Sequence, residues 1–306
     1  MHALRLWLAL LPGACAAVDL WAASTAHAPA AWLEVAPAVR VSDQAWSIAG
    51  DAQGNNPDIL TEYTWEQQVE LGLQGELGWC DHDGLLLRAG GWLGVAVAGD
   101  TQQSDYAADG RTSETFRTTG QAGGGWSWQG EAALGWRFTP GAHLAIEPEF
   151  SLSTWRQHLP IHDLTQSIPA DAAPNDVNSS YHTSWDMATA GATLRWQLAF
   201  NLLLSLRGQV GLGTFAGKGN LNGRDDLAQP VSFQQESDAW MWRGQAQLEF
   251  IDSTGWGYGA RLGYEQWRAG SGEGRLRYGP NDATVTQFNG SSIDSVVLAC
   301  NVRCVW

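Results

Sequence analysis

The stretch Trp65-Glu66-Gln67-Gln68-Val69-Glu70-Leu71-Gly72-Leu73-Gln74-Gly75-Glu76-Leu77-Gly78-Trp79 decides the fold. From Val69 on, the odd positions are apolar or glycine and most even ones are Glu or Gln, so one face wants oil and the other water. Cys80-Asp81-His82-Asp83-Gly84 then has turn chemistry. The alternation resumes with Leu85, Leu87, Ala89, Leu93, Val95 and Val97 on one face and Arg88, Gly90, Trp92 and Gly94 on the other. Strands of soluble proteins run about 5–6 residues, whereas each arm here keeps its phase for longer than the roughly 9–11 tilted residues that cross a hydrocarbon core. Tyr63 and Trp65 at one end of the apolar run and Trp79 at the other are expected at the headgroup layers.

With this hairpin as segments two and three, eight more alternating segments can be read. The first, about Trp32–Ile48, turns Leu33, Val35, Val39 and Val41 outward and Glu34, Arg40 and Gln44 inward. Gly123–Phe138 places Trp126, Trp128, Leu134, Trp136 and Phe138 outside. Ala142–Gln157 does the same with Leu144, Ile146, Phe150 and Leu152, and Trp185–Phe200 with Leu194, Trp196, Leu198 and Phe200. Leu204, Leu206, Val210 and Leu212 mark the seventh, Ala239–Ile251 the eighth and Trp256–Ala269 the ninth. The tenth ends the chain with Val296, Leu298, Cys300, Val302, Cys304 and Trp306 on one face. Short joins follow the even segments; long ones, near 49–58, 98–122, 158–184, 214–238 and 270–290, follow the odd ones. The expectation is an all-β, ten-stranded antiparallel transmembrane β-barrel with short periplasmic turns and five long extracellular loops, in a bacterial outer membrane.

Facing inward are Arg40, Arg88, Arg137, Arg195, Arg207, Arg243 and Arg261, with Glu34, Glu70, Glu76, Glu131, Glu147, Glu149, Glu249 and Glu265. About eight strands give a lumen filled by side chains and 16–18 a wide channel, so these long, balanced charges are expected to cross-link a narrow interior. That disfavours a porin and leaves a narrow solute channel as a lesser alternative.

The 306 residues include 36 Gly and 18 Trp, only 16% are charged, and the formal charge is −15. Acid concentrated in the connections excludes nucleic acid as a partner and favours cations, either a basic peptide or a divalent ion. Residues 1–26 read as a secretory leader, Met1 to Arg5 preceding the apolar Leu6–Leu11, with a small-residue cut after Ala16 or Ala26; residues 27–306 form the barrel. Leu11-Pro12-Gly13-Ala14-Cys15 misses the lipoprotein spacing by one place. Cys300 and Cys304 lie four residues apart on one strand, roughly 13 Å at about 3.3 Å per residue, beyond the ~7 Å reach of a disulfide. No cofactor is expected, outer-membrane lipid or lipopolysaccharide is the expected surrounding, and nothing in the sequence sets an oligomeric state.

Three motif groups carry a family resemblance: Asn56-Pro57-Asp58-Ile59-Leu60-Thr61-Glu62-Tyr63-Thr64-Trp65, Gln103-Ser104-Asp105-Tyr106 with Asp109-Gly110-Arg111, and Gly217-Lys218-Gly219-Asn220 with Arg224-Asp225-Asp226. In these the chain resembles the omptin superfamily of ten-stranded outer-membrane barrels, and more closely its Protochlamydia outer-membrane protein branch. The resemblance implies an endopeptidase in which an Asp-His pair on the fourth loop's wall activates water opposite an Asp-Asp pair on the second. Imidazole suits that task near neutral pH. Here the second-loop pair has become Gln103-Ser104-Asp105, and no histidine follows His182, so the family's Asp-His pair is not intact.

Asp105, Asp225 and Asp226 are the candidate catalytic residues that remain. Solvated loop acids, a Ca²⁺ or Mg²⁺ site and a proton-sharing carboxylate pair of the aspartic type are the three readings of them. His158 and His162 with Asp163 in the third loop could hold a metal, replace the missing base, or be merely solvated. Asp81-His82-Asp83 has ligand chemistry but falls in a periplasmic turn. The reading reached here is a non-proteolytic barrel of omptin-like architecture with acidic binding loops; its first rival is a divergent aspartic-type endopeptidase cleaving basic peptides.

Overall fold

The computed structural model describes residues 30–170, 179–222, 226–279 and 282–306. The leader expected over residues 1–26 and the candidate Asp225 lie outside the described residues.

Thirteen strands form one antiparallel sheet that closes on itself through the pairing of the first with the last. They are β1 (Ala30–Ile48), β2 (Thr61–Cys80), β3 (Leu85–Ala108), β4 (Thr112–Gln121), β5 (Trp126–Trp136), β6 (Phe138–Gly141), β7 (Leu144–Ile168), β8 (Ser179–Ala199), β9 (Leu202–Asn220), β10 (Phe233–Ile251), β11 (Trp256–Ala269), β12 (Gly272–Arg277) and β13 (Ala283–Val305). The barrel wall has ten staves. β4 and β5 are upper and lower parts of one stave, since both pair β3 and β7. β11 and β12 form another, both lying between β10 and β13.

The outward residues form an apolar band that includes Leu73, Leu93, Leu134, Phe150, Val210, Leu262 and Leu298, all exposed. Trp79, Trp136, Trp196 and Tyr258 border it at the short-turn end, and Trp126, Trp128, Trp240 and Trp242 at the other. Beyond the second border the outer face turns polar: Arg156 holds Asp186 at 2.9 Å and Arg268 holds Asp294 at 2.6 Å.

The staves continue well past this edge. Much of what the sequence suggests as loop over 98–122, 158–184, 214–238 and 270–290 is strand, in β3–β4, β7–β8, β9–β10 and β12–β13. The physical reason is a change of filling. Inside the membrane the lumen is polar; above it the lumen is packed with Trp46, Tyr63, Trp65, Trp155, Tyr181, Trp185, Phe215, Phe233, Trp267 and Phe288. An aromatic interior under a polar exterior supports strands as well as the reverse arrangement does, but removes the sequence signature of a membrane stave.

Tyr63 and Trp65 are therefore not headgroup residues: they are 3% and 0% exposed within this layer. Their parity relative to Val69 misleads because a bulge sits between them. Gln67 has φ 48° and the β2–β3 register slips between Glu66 and Val69, so every side chain before the bulge changes face.

Candidate functional site

Two layers fill the barrel. In the lower one, Arg88 bridges Glu149 at 2.5 Å and Glu147 at 3.5 Å, while Arg137 and Arg195 reach Glu147 at 2.7 and 3.0 Å. Arg207 bonds Glu149 at 2.7 Å, Glu131 at short range and Glu76 at 3.8 Å. Arg243 shares Glu131 and lies 3.6 Å from Glu265, and Arg261 pairs with Glu34. Arg303, absent from the inward set expected above but placed inward by the alternation of β13, bonds Glu249 at 3.1 Å. Charges withdrawn from water are tolerated only when paired, and this lattice pairs them, although Arg88 Nε, Glu249 Oε1 and Arg303 Nε have no hydrogen-bond partner among the described residues. It leaves an internal cavity of about 60 Å³ beside Glu76, Arg88, Glu131 and Arg243, room for a few waters at roughly 10–15 Å³ each.

Above it the aromatic rings stack: Trp65 on Tyr181 at 5.6 Å, Phe215 on Phe288 at 5.3 Å, Trp46 on Tyr63 at 5.0 Å. The Gly217-Lys218-Gly219-Asn220 motif is part of this packing. A Cβ at Gly217 would overlap the Tyr181 hydroxyl, and one at Gly219 the Phe233 ring.

At the mouth, Asp105 stands opposite Thr61 and Gln103 opposite Tyr63, on the inner face. The Tyr63 hydroxyl donates to Gln103 Oε1, and Gln103 Nε2 donates to Asp105 Oδ1 at 3.3 Å. Asp226 is exposed at the top of the β9–β10 connection.

His158, His162 and Asp163 do not converge. Trp155, Gln157, Leu159 and Ile161 point inward from β7, so His158 and His162 point out, away from Asp105. His158 meets His182 instead, Nδ1 to Nε2 at 3.2 Å. His162 bonds Asp163 at 2.8 Å and the Gly123 carbonyl at 3.0 Å, contacts that hold its pKa above the ordinary histidine value, the carbonyl contributing most. His182, the partner missed in the sequence, was legible only through the hairpin register that sets it opposite His158.

The other resemblance motifs are clips between loops. Asp109 accepts from the Asp58 backbone at 2.9 Å and Asp58 from that of Gly110 at 2.8 Å, while Arg111 grips Glu62 at 2.7 and 2.9 Å. Asn289 donates to the Asp58 carbonyl at 2.8 Å, tying in the last loop. In the turn Asp81-His82-Asp83 the ligand atoms come within 4.8 Å of one another. The Asp81 carboxylate is already holding the turn, accepting from Asp83 and Leu85 N–H groups at 2.9 and 2.7 Å.

A closed antiparallel barrel with an apolar outer band, aromatic borders and a charge-packed lumen is an integral outer-membrane protein, with its longer connections extracellular. Its architecture is that of the outer membrane protease OmpT from Escherichia coli, with a TM-score of 0.70 over 92% of this chain and 98% of that one, at 9% identity. A Pseudomonas aeruginosa FadL homologue (TM-score 0.31, 10% identity, 90% of each chain) and the translocator domain of the Neisseria meningitidis autotransporter NalP (0.37, 11% identity, 89% of this chain and 88% of that one) are similar at a much lower level. The sequence model of the Protochlamydia outer membrane protein family matches residues 39–303, and the chain belongs to that family. No curated protein matches it.

Proposed function

We propose that this protein is a sealed, non-proteolytic barrel whose acidic extracellular rim binds cationic ligands, basic peptide segments or divalent cations, at the cell surface. The filled interior carries this reading. With the lower lumen occupied by ion pairs and the upper by stacked rings, the surfaces left for a ligand are those of the rim. Asp51, Asp226 and Asp282 are among its acids, and charge complementarity selects a basic partner. Lipopolysaccharide is the expected neighbour of the outer wall.

A second reading, an aspartic-type endopeptidase acting through Asp105, Asp225 and Asp226, draws on one observation: Asp105 faces the mouth. Against it, Gln103 engages Asp105, and the third-loop imidazoles face outward. The narrow channel is the third reading, and the cavity is small for it.

Retention of a fluorescent oligo-arginine peptide by the refolded protein, measured across an ionic-strength series, tests the proposal. Binding at low salt that weakens steeply toward about 0.5 M is expected, since screening shortens electrostatic reach. Equal retention of an oligo-glutamate peptide, or cleavage of the arginine peptide, rejects it.

A further inference from the structure

We propose that His158 and His182 form a binding site for a late first-row divalent cation, Cu²⁺, Ni²⁺ or Zn²⁺, on the outer wall of the barrel above the membrane. The two residues are direct register partners on β7 and β8, strands paired continuously from Leu144–Trp196 to Ile161–Ser179. Their backbones are thus fixed by the ladder before any ion arrives. His158 Nδ1 and His182 Nε2 lie 3.2 Å apart, with ring centroids at 4.4 Å. Metal–imidazole bonds of about 2.0–2.1 Å at tetrahedral angles give an N···N edge of roughly 3.3 Å. An ion bonded to both nitrogens lies off the line between them, so the backbone spacing suits it while each ring tilts to aim its lone pair at the ion.

The donor set selects the ion. Two imidazoles suit Cu²⁺, Ni²⁺ and Zn²⁺, whereas Ca²⁺ and Mg²⁺ need several oxygens. Both rings are half-buried. Burial, and for His182 also the neighbouring His158 and Lys218, hold their pKa below the ordinary histidine value, so lone pairs are available at neutral pH. In the empty pair the two nitrogens share one proton's contact, one ring nitrogen carrying hydrogen and the other a lone pair. When the ion enters, the ring whose facing nitrogen carries the hydrogen takes its other tautomer, and no net proton leaves the neutral pair.

The surroundings set the strength. Trp126 packs against His158 at 5.9 Å and shields one side. Arg156, on the same face, is neutralised by Asp186. Lys218, directly opposite His182 on β9, repels a cation. Waters complete the coordination, which makes this a reversible site.

Untagged, refolded protein titrated with CuSO₄, NiCl₂ or ZnCl₂ at pH 7.5 should bind one equivalent calorimetrically, and the Cu²⁺ complex should show the electron-spin signature of two imidazole nitrogens. His158→Gln or His182→Gln should weaken binding at least about tenfold and the double variant abolish it. Lys218→Gln, which leaves the ligands intact, should tighten it several-fold. Wild-type binding should fade below about pH 6 as the rings protonate. A heat-dependent shift on SDS gels verifies that each variant is folded; should the His variants not fold, the wild-type nitrogen signature and the Lys218→Gln shift still decide. Undiminished affinity in the folded double variant, a wild-type copper signal lacking two nitrogens, or no saturable binding by the wild type overturns the proposal.

Discussion

The guanidinium of Arg40 lies 4.5 Å from the centre of the Trp92 indole. Trp155 covers it at 4.9 Å, so the cation sits where the ion-pair layer meets the aromatic layer. It is fully buried, with Glu70 at 3.5 Å, Glu265 at 3.7 Å and the Gln129 side-chain Oε1 accepting at 2.8 Å. Arg40→Ala removes the cation paired with buried Glu70 and leaves Glu265 with Arg243 alone, and should cost about 3–5 kcal/mol. Arg40→Lys keeps the charge but not the plane that stacks between the rings, for a loss of about 1–2 kcal/mol. Denaturant midpoints in detergent micelles should fall in the order wild type, Lys, Ala; an Ala variant as stable as the wild type contradicts the layer's role.

Conductance is the second expectation. Arg207 holds Glu76, Glu131 and Glu149 together across the lumen, and the refolded protein should pass little or no steady current in planar bilayers. Arg207→Ala removes two charge-assisted hydrogen bonds while Arg88 still pairs Glu149 and Arg243 still pairs Glu131, and should destabilise the barrel by about 1.5–3 kcal/mol. Large, stable wild-type conductance steps at neutral pH would show that the packed lumen is an open conduit.

Period-two alternation made the membrane part of every stave legible, down to which Arg and Glu face inward, Arg303 excepted. It failed where its two conditions failed. At Gln67 a bulge reverses parity, and above the apolar band the inner face is aromatic while the outer is polar, so residues such as Trp46 and Phe233 carry no membrane pattern. The site was less legible still. Asp58, Asp109 and Arg111 carry the family resemblance in sequence, yet what they do is clip the first two loops to each other and to Glu62 of β2, contacts that register and turn geometry create.

The aromatic layer leads to a glycine test. A methyl at Gly219 would enter the Phe233 ring, whereas one at Gly208, on the same strand, meets nothing within 4 Å. Gly219→Ala should cost about 1–3 kcal/mol through overpacking, and Gly208→Ala should stay within about 0.5 kcal/mol. Equal unfolding midpoints for the two variants would remove the steric explanation of the motif.

Acid should loosen the top of β7 and β8 locally. His158 and His182 titrate below the ordinary value of about 6.5, chiefly because they are buried. The unfolded state binds their protons more readily, so their contribution is complete above about pH 6.5 and is lost as pH falls through the folded values. His162, held above that value, acts oppositely: its contribution is complete below about pH 6.5 and is lost as pH rises through its folded value. Protection factors at Tyr181–Ser184, corrected for the slower intrinsic exchange at lower pH, should therefore fall between about pH 6.5 and 5 in the wild type. The fall should shrink in His158→Gln, and protection factors that are flat across this range in the wild type are the contrary result.

The last expectation concerns proteolysis. An omptin-like hydrolysis needs a base at the mouth, and the imidazoles nearest to it in sequence, His158, His162 and His182, all lie on the outer face of β7 and β8. Water activation would fall to carboxylates such as Asp105 or Asp226, and a carboxylate of ordinary pKa near 4 is a feeble base at pH 7. General-base assistance is worth roughly 10²–10⁴-fold, so cleavage of fluorogenic peptides containing Arg-Arg or Arg-Lys should be undetectable or very slow, even with lipopolysaccharide present. The informative variants are Asp105→Ala and Asp226→Ala. Robust wild-type turnover that disappears in both would establish that the two carboxylates carry the chemistry and would replace the binding reading with the enzymatic one. Turnover that persists in both points to a contaminating protease. No turnover, together with salt-sensitive retention of the same peptides, is the outcome that a sealed barrel with an acidic rim requires.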